Sequence, residues 1–245
     1  MNSFETKGKL YLIPTVIAAD TVKNVISAQI VTCVSNLDYY LVENLRTARR
    51  FLSEMKTTLP ELRLPKAIEE IHFAELSKDT SPDEVIKLLE PVLNGKDAGV
   101  ISEAGCPGVA DPGALAVHYA HRLGIKVVPL VGPSSILLAL MASGFSGQSF
   151  TFHGYLPIEN KEKAKVLKKL EADAQKLKQT QIFMETPYRN NKLFQDILQN
   201  CHPETLLCVA KDITGKNEFI ATKSIKEWKN HPLDLHKIPA IFMLY

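Results

Sequence analysis

The chain has 245 residues, 45% of them hydrophobic and 23% charged, with a formal net charge of +2. That balance excludes a disordered chain, and so small an excess of positive charge does not by itself imply nucleic acid as a partner. The longest apolar run, Ile136 to Ala142, falls short of the roughly 18 residues a spanning helix needs, and Met1-Asn2-Ser3-Phe4-Glu5 lacks the basic and apolar regions of a secretory leader, so no membrane segment and a cytoplasmic address are expected.

Leu10 to Pro14 reads as a short buried strand ending at a proline. Ala19 to Val34 carries Val22, Val25, Ile26 and Ile30 along one face and is predicted helical. Leu37 to Val42 is a second strand, followed by a basic helix over Leu45–Met55 and a loop punctuated by Pro60 and Pro65. Ser81-Pro82-Asp83-Glu84 starts a helix running to Asn94, with Gly95 as its stop. Ala98–Ser102 is a strand, Gly113–Leu123 a helix ended by Gly124, and Ile125–Leu130 a strand again. This alternation predicts a mainly parallel, doubly wound sheet.

The second half reads differently. Strands are predicted over Phe150–Tyr155, Gln181–Glu185, Thr205–Lys211, Asn217–Thr222 and Ile238–Leu244, with helices over Asn160–Lys178 and Asn190–Asn200. Closely spaced later strands point to a mixed sheet in a separate α/β lobe, giving an N-terminal lobe over residues 1–131 and a C-terminal lobe over 132–245. Phe150, Phe152 and Tyr155 alternate like core strand residues. Lys161, Lys163, Lys165, Lys168 and Lys169 form a basic helical stretch, with a solvated face as the default and an RNA backbone contact as the alternative.

Two glycine- and proline-rich loops follow strands and precede helices, where open α/β sheets bind ligands. The first is Ser102-Glu103-Ala104-Gly105-Cys106-Pro107-Gly108-Val109-Ala110-Asp111-Pro112-Gly113. Its small residues admit a ligand to the backbone and its prolines stiffen it; a structural turn explains it equally well. It is neither GxGxxG nor a Walker loop, which disfavours dinucleotide or simple phosphate binding. The second is Gly132-Pro133-Ser134-Ser135, whose hydroxyls either meet a ligand or cap the next helix. Cys33, Cys106, Cys201 and Cys208 form no CxxC and read as reduced thiols. His118 and His121 lack a second ligand pair, so no metal is expected.

The order SEAGCPGVADPG, VVPLVGPSS, FHGYLP and METPYR resembles the tetrapyrrole methylase superfamily, most closely its branch that methylates a cytidine ribose 2'-hydroxyl in small-subunit rRNA. The resemblance runs from Leu10 to about Glu218. It implies a two-lobed homodimer binding S-adenosylmethionine in a cleft between lobes, with rRNA or the small ribosomal subunit as partner. By position it assigns Pro14, Ser102, Ala104, Gly105, Cys106, Val109, Ser134, Ser135, Met184, Ala210, Pro239 and Ala240 to the cofactor. Glu43 is the candidate to orient or deprotonate a hydroxyl, or else to pair with Arg46 or Arg49; Arg46, Glu185 and Arg189 are candidates for the acceptor, the last two also for a mutual bridge. Asp111 is placed to cap the helix from Gly113.

The sequence departs from the branch mainly on its acceptor side. Val16-Ile17-Ala18-Ala19-Asp20 stands where Pro-Ile-Gly-Asn-Leu is usual, and Asn44 where the branch has Asp. Ile71 to Glu75 only loosely represents a loop bearing His and Asn, and Tyr188 stands where His is usual. Lys211 to Thr214 with Glu218 keeps the branch's signature. Other acceptors, such as a tetrapyrrole or another small molecule, and a non-catalytic cofactor-binding RNA module, are the alternatives.

Overall fold

A computed structural model describes residues 7–245, so the reading of Met1 to Glu5 lies outside the described residues. The chain divides into two compact units, the first ending at Pro133 and the second beginning at Ser134.

The first unit runs β1 (Lys9–Ile13), α1 (Val22–Val25), α2 (Ala28–Val34), β2 (Tyr39–Val42), α3 (Leu45–Thr58), β3 (His72–Glu75), α4 (Pro82–Leu93), β4 (Ala98–Ile101), α5 (Gly113–Arg122) and β5 (Lys126–Pro129). Its strands pair in parallel in the order β3-β2-β4-β1-β5. Leu10, Leu41, Ala98 and Val100 pack with α4 and α5 on one face, while Ile13, Tyr40, Val42 and Ile101 pack with α2 and α3 on the other. Burial on both faces explains why β2 and β4 read as continuous apolar runs rather than as alternation. The chain leaves β1 toward β2 and leaves β4 toward β5, in opposite directions across the sheet. That divergence between adjacent strands opens the crevice where such sheets take ligands.

Two expectations are corrected here. The helix expected over Ala19–Val34 is two short helices, because Ser27 is extended and its Oγ accepts the Ile30 amide, starting α2 afresh. Asp20, with φ +60°, turns the chain just ahead of α1. The segment around Ile71 to Glu75 contains a strand, β3, which pairs only with β2 at the sheet edge. The α4 start forms as expected, with the Glu84 carboxylate accepting the Ser81 amide at 2.8 Å in a capping box.

The second unit runs α6 (Ser135–Ser143), β6 (Phe150–Tyr155), α7 (Asn160–Leu177), β7 (Thr180–Met184), α8 (Asn190–Asn200), β8 (Leu206–Lys211), β9 (Phe219–Ser224), α9 (Ile225–Trp228) and β10 (Ala240–Leu244). Its sheet has the order β6-β7-β10-β8-β9, with β6 parallel to β7 and the other neighbours antiparallel. The alternation of Phe150, Phe152 and Tyr155 does not mark a buried strand. β6 is an edge strand bulged between Phe152 and Tyr155, which leaves Phe150 and Tyr155 exposed. In α7, Lys163 departs from the solvated face: it is buried, and its Nζ meets Asp196 at 3.0 Å. Burial would raise the Asp196 pKa, but hydrogen bonds from Lys192 and Lys163 outweigh it and hold the carboxyl below its usual range.

The single tryptophan anchors this core. A Ser224–Glu227 capping box fixes the short α9, and Trp228 Nε1 donates to the Leu207 carbonyl at 2.8 Å while its ring meets Phe194 edge-on. Trp228→Ala removes that packing and leaves the Leu207 carbonyl without its indole donor. A loss of about 3–5 kcal/mol is expected in urea unfolding of the second unit, followed by circular dichroism; a change below about 1 kcal/mol would contradict this role.

Candidate active site

The register of the parallel sheet builds the site in the first unit. Ile13 lies opposite Ile101 and Leu12 opposite Pro129, so the chain emerges from β1, β4 and β5 at one level. The three emerging loops then lock together. The Thr15 amide donates to the Gly105 carbonyl at 2.9 Å, and Ser102 Oγ donates to the same carbonyl at 3.3 Å. Cys106 Sγ reaches the Pro133 carbonyl at 3.3 Å. A Cβ at Gly132 would collide with the Pro14 ring, so only glycine lets the third loop approach the first this closely. Gly105 has φ +70° and sits where a Cβ would be 3.2 Å from the Pro133 carbonyl oxygen. Pro14, Ser102 and Gly105 are therefore buried supports, whereas Ala104 and Val109 present small or apolar surface outward.

Asp111 does more than cap a helix. One carboxylate oxygen accepts the Gly113 amide at 2.5 Å at the start of α5, and the other accepts the Gly108 amide at 2.7 Å. The helix start and the loop are thus tied by one side chain. Burial raises the Asp111 pKa, with the amide bonds opposing it.

Glu43 follows β2 at the same end of the sheet and makes no ion pair with Arg46 or Arg49. Arg49 lies over the Phe73 ring instead. Burial raises the Glu43 pKa, and the neighbouring carboxylates of Glu103 and Asp111 raise it further. Thr47 Oγ1 holds Glu103 by a short hydrogen bond. Asn44 caps α3 by accepting the Arg46 and Thr47 amides at 2.9 and 3.2 Å. Asparagine and aspartate cap helices equally well, so this departure from the expected carboxylate keeps the helix start.

The remaining candidates lie in the second unit. Ser134 caps α6 by accepting the Leu137 amide, which gives it the structural role left open by the sequence. Met184 ends β7, Ala210 nears the end of β8, and Pro239 with Ala240 opens the antiparallel β10; pairing of Ile241 with Met184 and Ala210 brings them to one end of the sheet. Ala210 and Ala240 are buried, Met184 is half-buried and Pro239 is exposed. Glu185 and Arg189 form a bridge at 2.7 Å. Burial alone would raise the Glu185 pKa, but Arg189 and the Thr186 amide hold it below its usual range. Sequence reasoning gave Thr15 and Glu103 no role of their own and did not join Tyr188 to His236 and Lys237. The last group is assembled from positions about fifty residues apart, and no local pattern could join them.

Residues 27–229 match the family described as Tetrapyrrole (Corrin/Porphyrin) Methylases. The chain is 30% identical over 243 residues to the Ribosomal RNA small subunit methyltransferase I of Bacillus subtilis, covering 94% of this chain and 73% of that protein. It is 29% identical over 220 residues to the protein of that name from Buchnera aphidicola subsp. Schizaphis graminum, covering 90% and 70%. The counterpart from Vibrio cholerae is 36% identical over 141 residues, with 57% of this chain and 47% of that protein covered. Among solved structures, uroporphyrin-III-C-methyltransferase from Thermus thermophilus superposes with a TM-score of 0.52 at 15% identity, covering 97% and 94% of the two chains. The methyltransferase CobJ superposes with a TM-score of 0.58 at 14% identity, covering 96% and 93%. Those two show the fold. The fold is that of an α/β methyltransferase, and the chain belongs to the tetrapyrrole (corrin/porphyrin) methylase family. It is an S-adenosylmethionine-dependent methyltransferase.

The residues present fit that cofactor. A loop with a glycine cradle and exposed Ala104 and Val109 lets an adenosine-sized group approach the backbone, and three carboxylates, Glu43, Glu103 and Asp111, favour a cationic sulfonium. Gly132→Ala forces the third loop off Pro14. The affinity for S-adenosylmethionine, read by calorimetry, is expected to fall roughly tenfold or more while the circular dichroism spectrum is retained; unchanged affinity would overturn the interlock.

Proposed function

We propose that this methyltransferase acts on a ribose 2'-hydroxyl of small-subunit rRNA. The observation that carries the reading is the match to the Bacillus subtilis relative along 94% of the chain, together with a carboxylate suited to a hydroxyl acceptor, Glu43, beside the donor loops. The solved tetrapyrrole methyltransferases, at 14–15% identity, support the fold and carry no argument for a tetrapyrrole acceptor.

Ala104, Cys106 and Val109 would hold the cofactor, with Pro14, Ser102 and Gly105 as their supports and Met184, Ala210, Pro239 and Ala240 as the contribution of the second unit. When bound, S-adenosylmethionine supplies an electrophilic methyl group. The chain contributes orientation and exclusion of water, for which a loop fixed by Asp111 and by Thr15 is suited. Glu43 takes the proton that the acceptor hydroxyl loses as its oxygen becomes an ether. Its raised pKa makes it a stronger base than an ordinary carboxylate. The proposal includes a homodimer, supported by the exposed apolar Leu137 and Met141 on α6. It also includes a cytoplasmic site of action; no helix among the described residues is long and apolar enough to cross a membrane.

Transfer of labelled methyl to small ribosomal subunits lacking the modification, compared with free RNA and a tetrapyrrole, tests the acceptor. Label in the rRNA is expected, and label in the tetrapyrrole alone would overturn the reading. Cofactor binding without transfer to any acceptor would favour the non-catalytic module. Because the carboxylate is the working form, kcat should fall as pH drops through the raised Glu43 pKa, and Glu43→Gln should lower kcat roughly 100-fold or more and remove that acidic limb.

A further inference from the structure

The loop after β7 carries a feature that the donor site does not use. Tyr188 is the most exposed aromatic ring among the described residues, at 71% of its surface, yet it is not loose. The His236 ring stands against it nearly at right angles, with centroids 6.4 Å apart, and the Lys237 ammonium lies 5.8 Å from its centroid. The backbone behind these groups is pinned: the Lys237 amide donates to the Pro187 carbonyl at 3.0 Å, and Lys237 is held at φ +60°. His236 is fixed in turn through its amide, which donates to Asp234 at 3.0 Å, and Asp234 accepts Asn191 Nδ2 at 2.9 Å. Next in the chain, Arg189 is anchored at one nitrogen by buried Glu185 and leaves about 41% of its side chain exposed.

We infer that the braced Tyr188 ring, with the Lys237 ammonium over it and Arg189 next in the chain, is a stacking platform for an unpaired nucleobase of the acceptor RNA. This rests on the rRNA reading above. An aromatic ring with a cation held close to it fits a base and a neighbouring phosphate, the pairing by which single-stranded nucleic acid is held without reading sequence. The platform also sits where an acceptor is needed. Tyr188 follows Met184 by four residues, and Lys237 precedes Pro239 by two, so both belong to the sheet end that gathers the second unit's proposed cofactor residues. Tyrosine here offers a larger stacking face than the histidine expected at this position.

The test uses the full chain and a single-stranded RNA oligonucleotide of the acceptor sequence carrying 2-aminopurine beside the target nucleotide, whose fluorescence is quenched on stacking. Wild-type protein is expected to quench it. Tyr188→Ala should abolish the quenching, weaken RNA binding roughly tenfold or more, and raise KM for small subunits with kcat changed much less; Tyr188→Phe should restore all three. The affinity for S-adenosylmethionine should be the same in all three proteins. Absent quenching by wild type, or equal binding and quenching by Tyr188→Ala, overturns the platform. An effect of Tyr188→Ala on intact subunits alone, with RNA binding untouched, would overturn it in favour of a ribosomal-protein contact. Failure of wild type to methylate small subunits would instead overturn the rRNA reading, and is read separately from the quenching.

Discussion

The proposed donor site depends on a hydrogen bond between two loops, from the Thr15 amide to the Gly105 carbonyl, and on the strand register that makes it possible. β1 and β4 are adjacent and parallel with Ile13 opposite Ile101, so the residues after them are neighbours however far apart they lie in sequence. Small residues then allow contact that larger ones would forbid. Gly132 abuts Pro14, and Gly105 fits beneath the Pro133 carbonyl. Asp111 extends the same bracing to the far end of the loop by binding amides on both sides of itself. A methyl transfer needs reactants aligned more than it needs activated groups, and rigidity of this kind is what the chain can provide.

Charge completes that picture on the proposed acceptor side. Glu43 is partly buried and lies close enough to Glu103 and Asp111 for their carboxylates to act on it, so its carboxyl holds its proton more tightly than usual. The same cluster suits a positively charged methyl donor. In the second unit the opposite arrangement prevails: Glu185 is neutralised by Arg189, and Asp196 by Lys163 and Lys192. These pairs are consistent with positioning rather than proton transfer, because a carboxylate held below its usual pKa is a poor base.

Much of this was legible in the sequence because the chemistry is local. The strand-loop-helix order around Ser102 to Gly113, the capping signal at Ser81 and the alternation of strands and helices all lie within short windows. What escaped was set by partners distant along the chain. Nothing near Ser27 shows that it interrupts a helix, since its apolar neighbours keep helical spacing on both sides. Phe150 and Tyr155 look like core residues until the strand order places β6 at an edge. Lys163 reads as one of five similar lysines, and only packing of α7 against α8 shows that it faces Asp196. Tyr188 and Lys237 meet across a span that no periodicity describes.

The interlocked loops of the first unit are the proposed seat of the methyl donor. A crystal structure of the protein with S-adenosylhomocysteine tests it most directly. The ligand is expected against the backbone of Ala104 to Val109, with the Thr15 to Gly105 hydrogen bond intact. Ligand bound elsewhere, with that loop untouched, would contradict it.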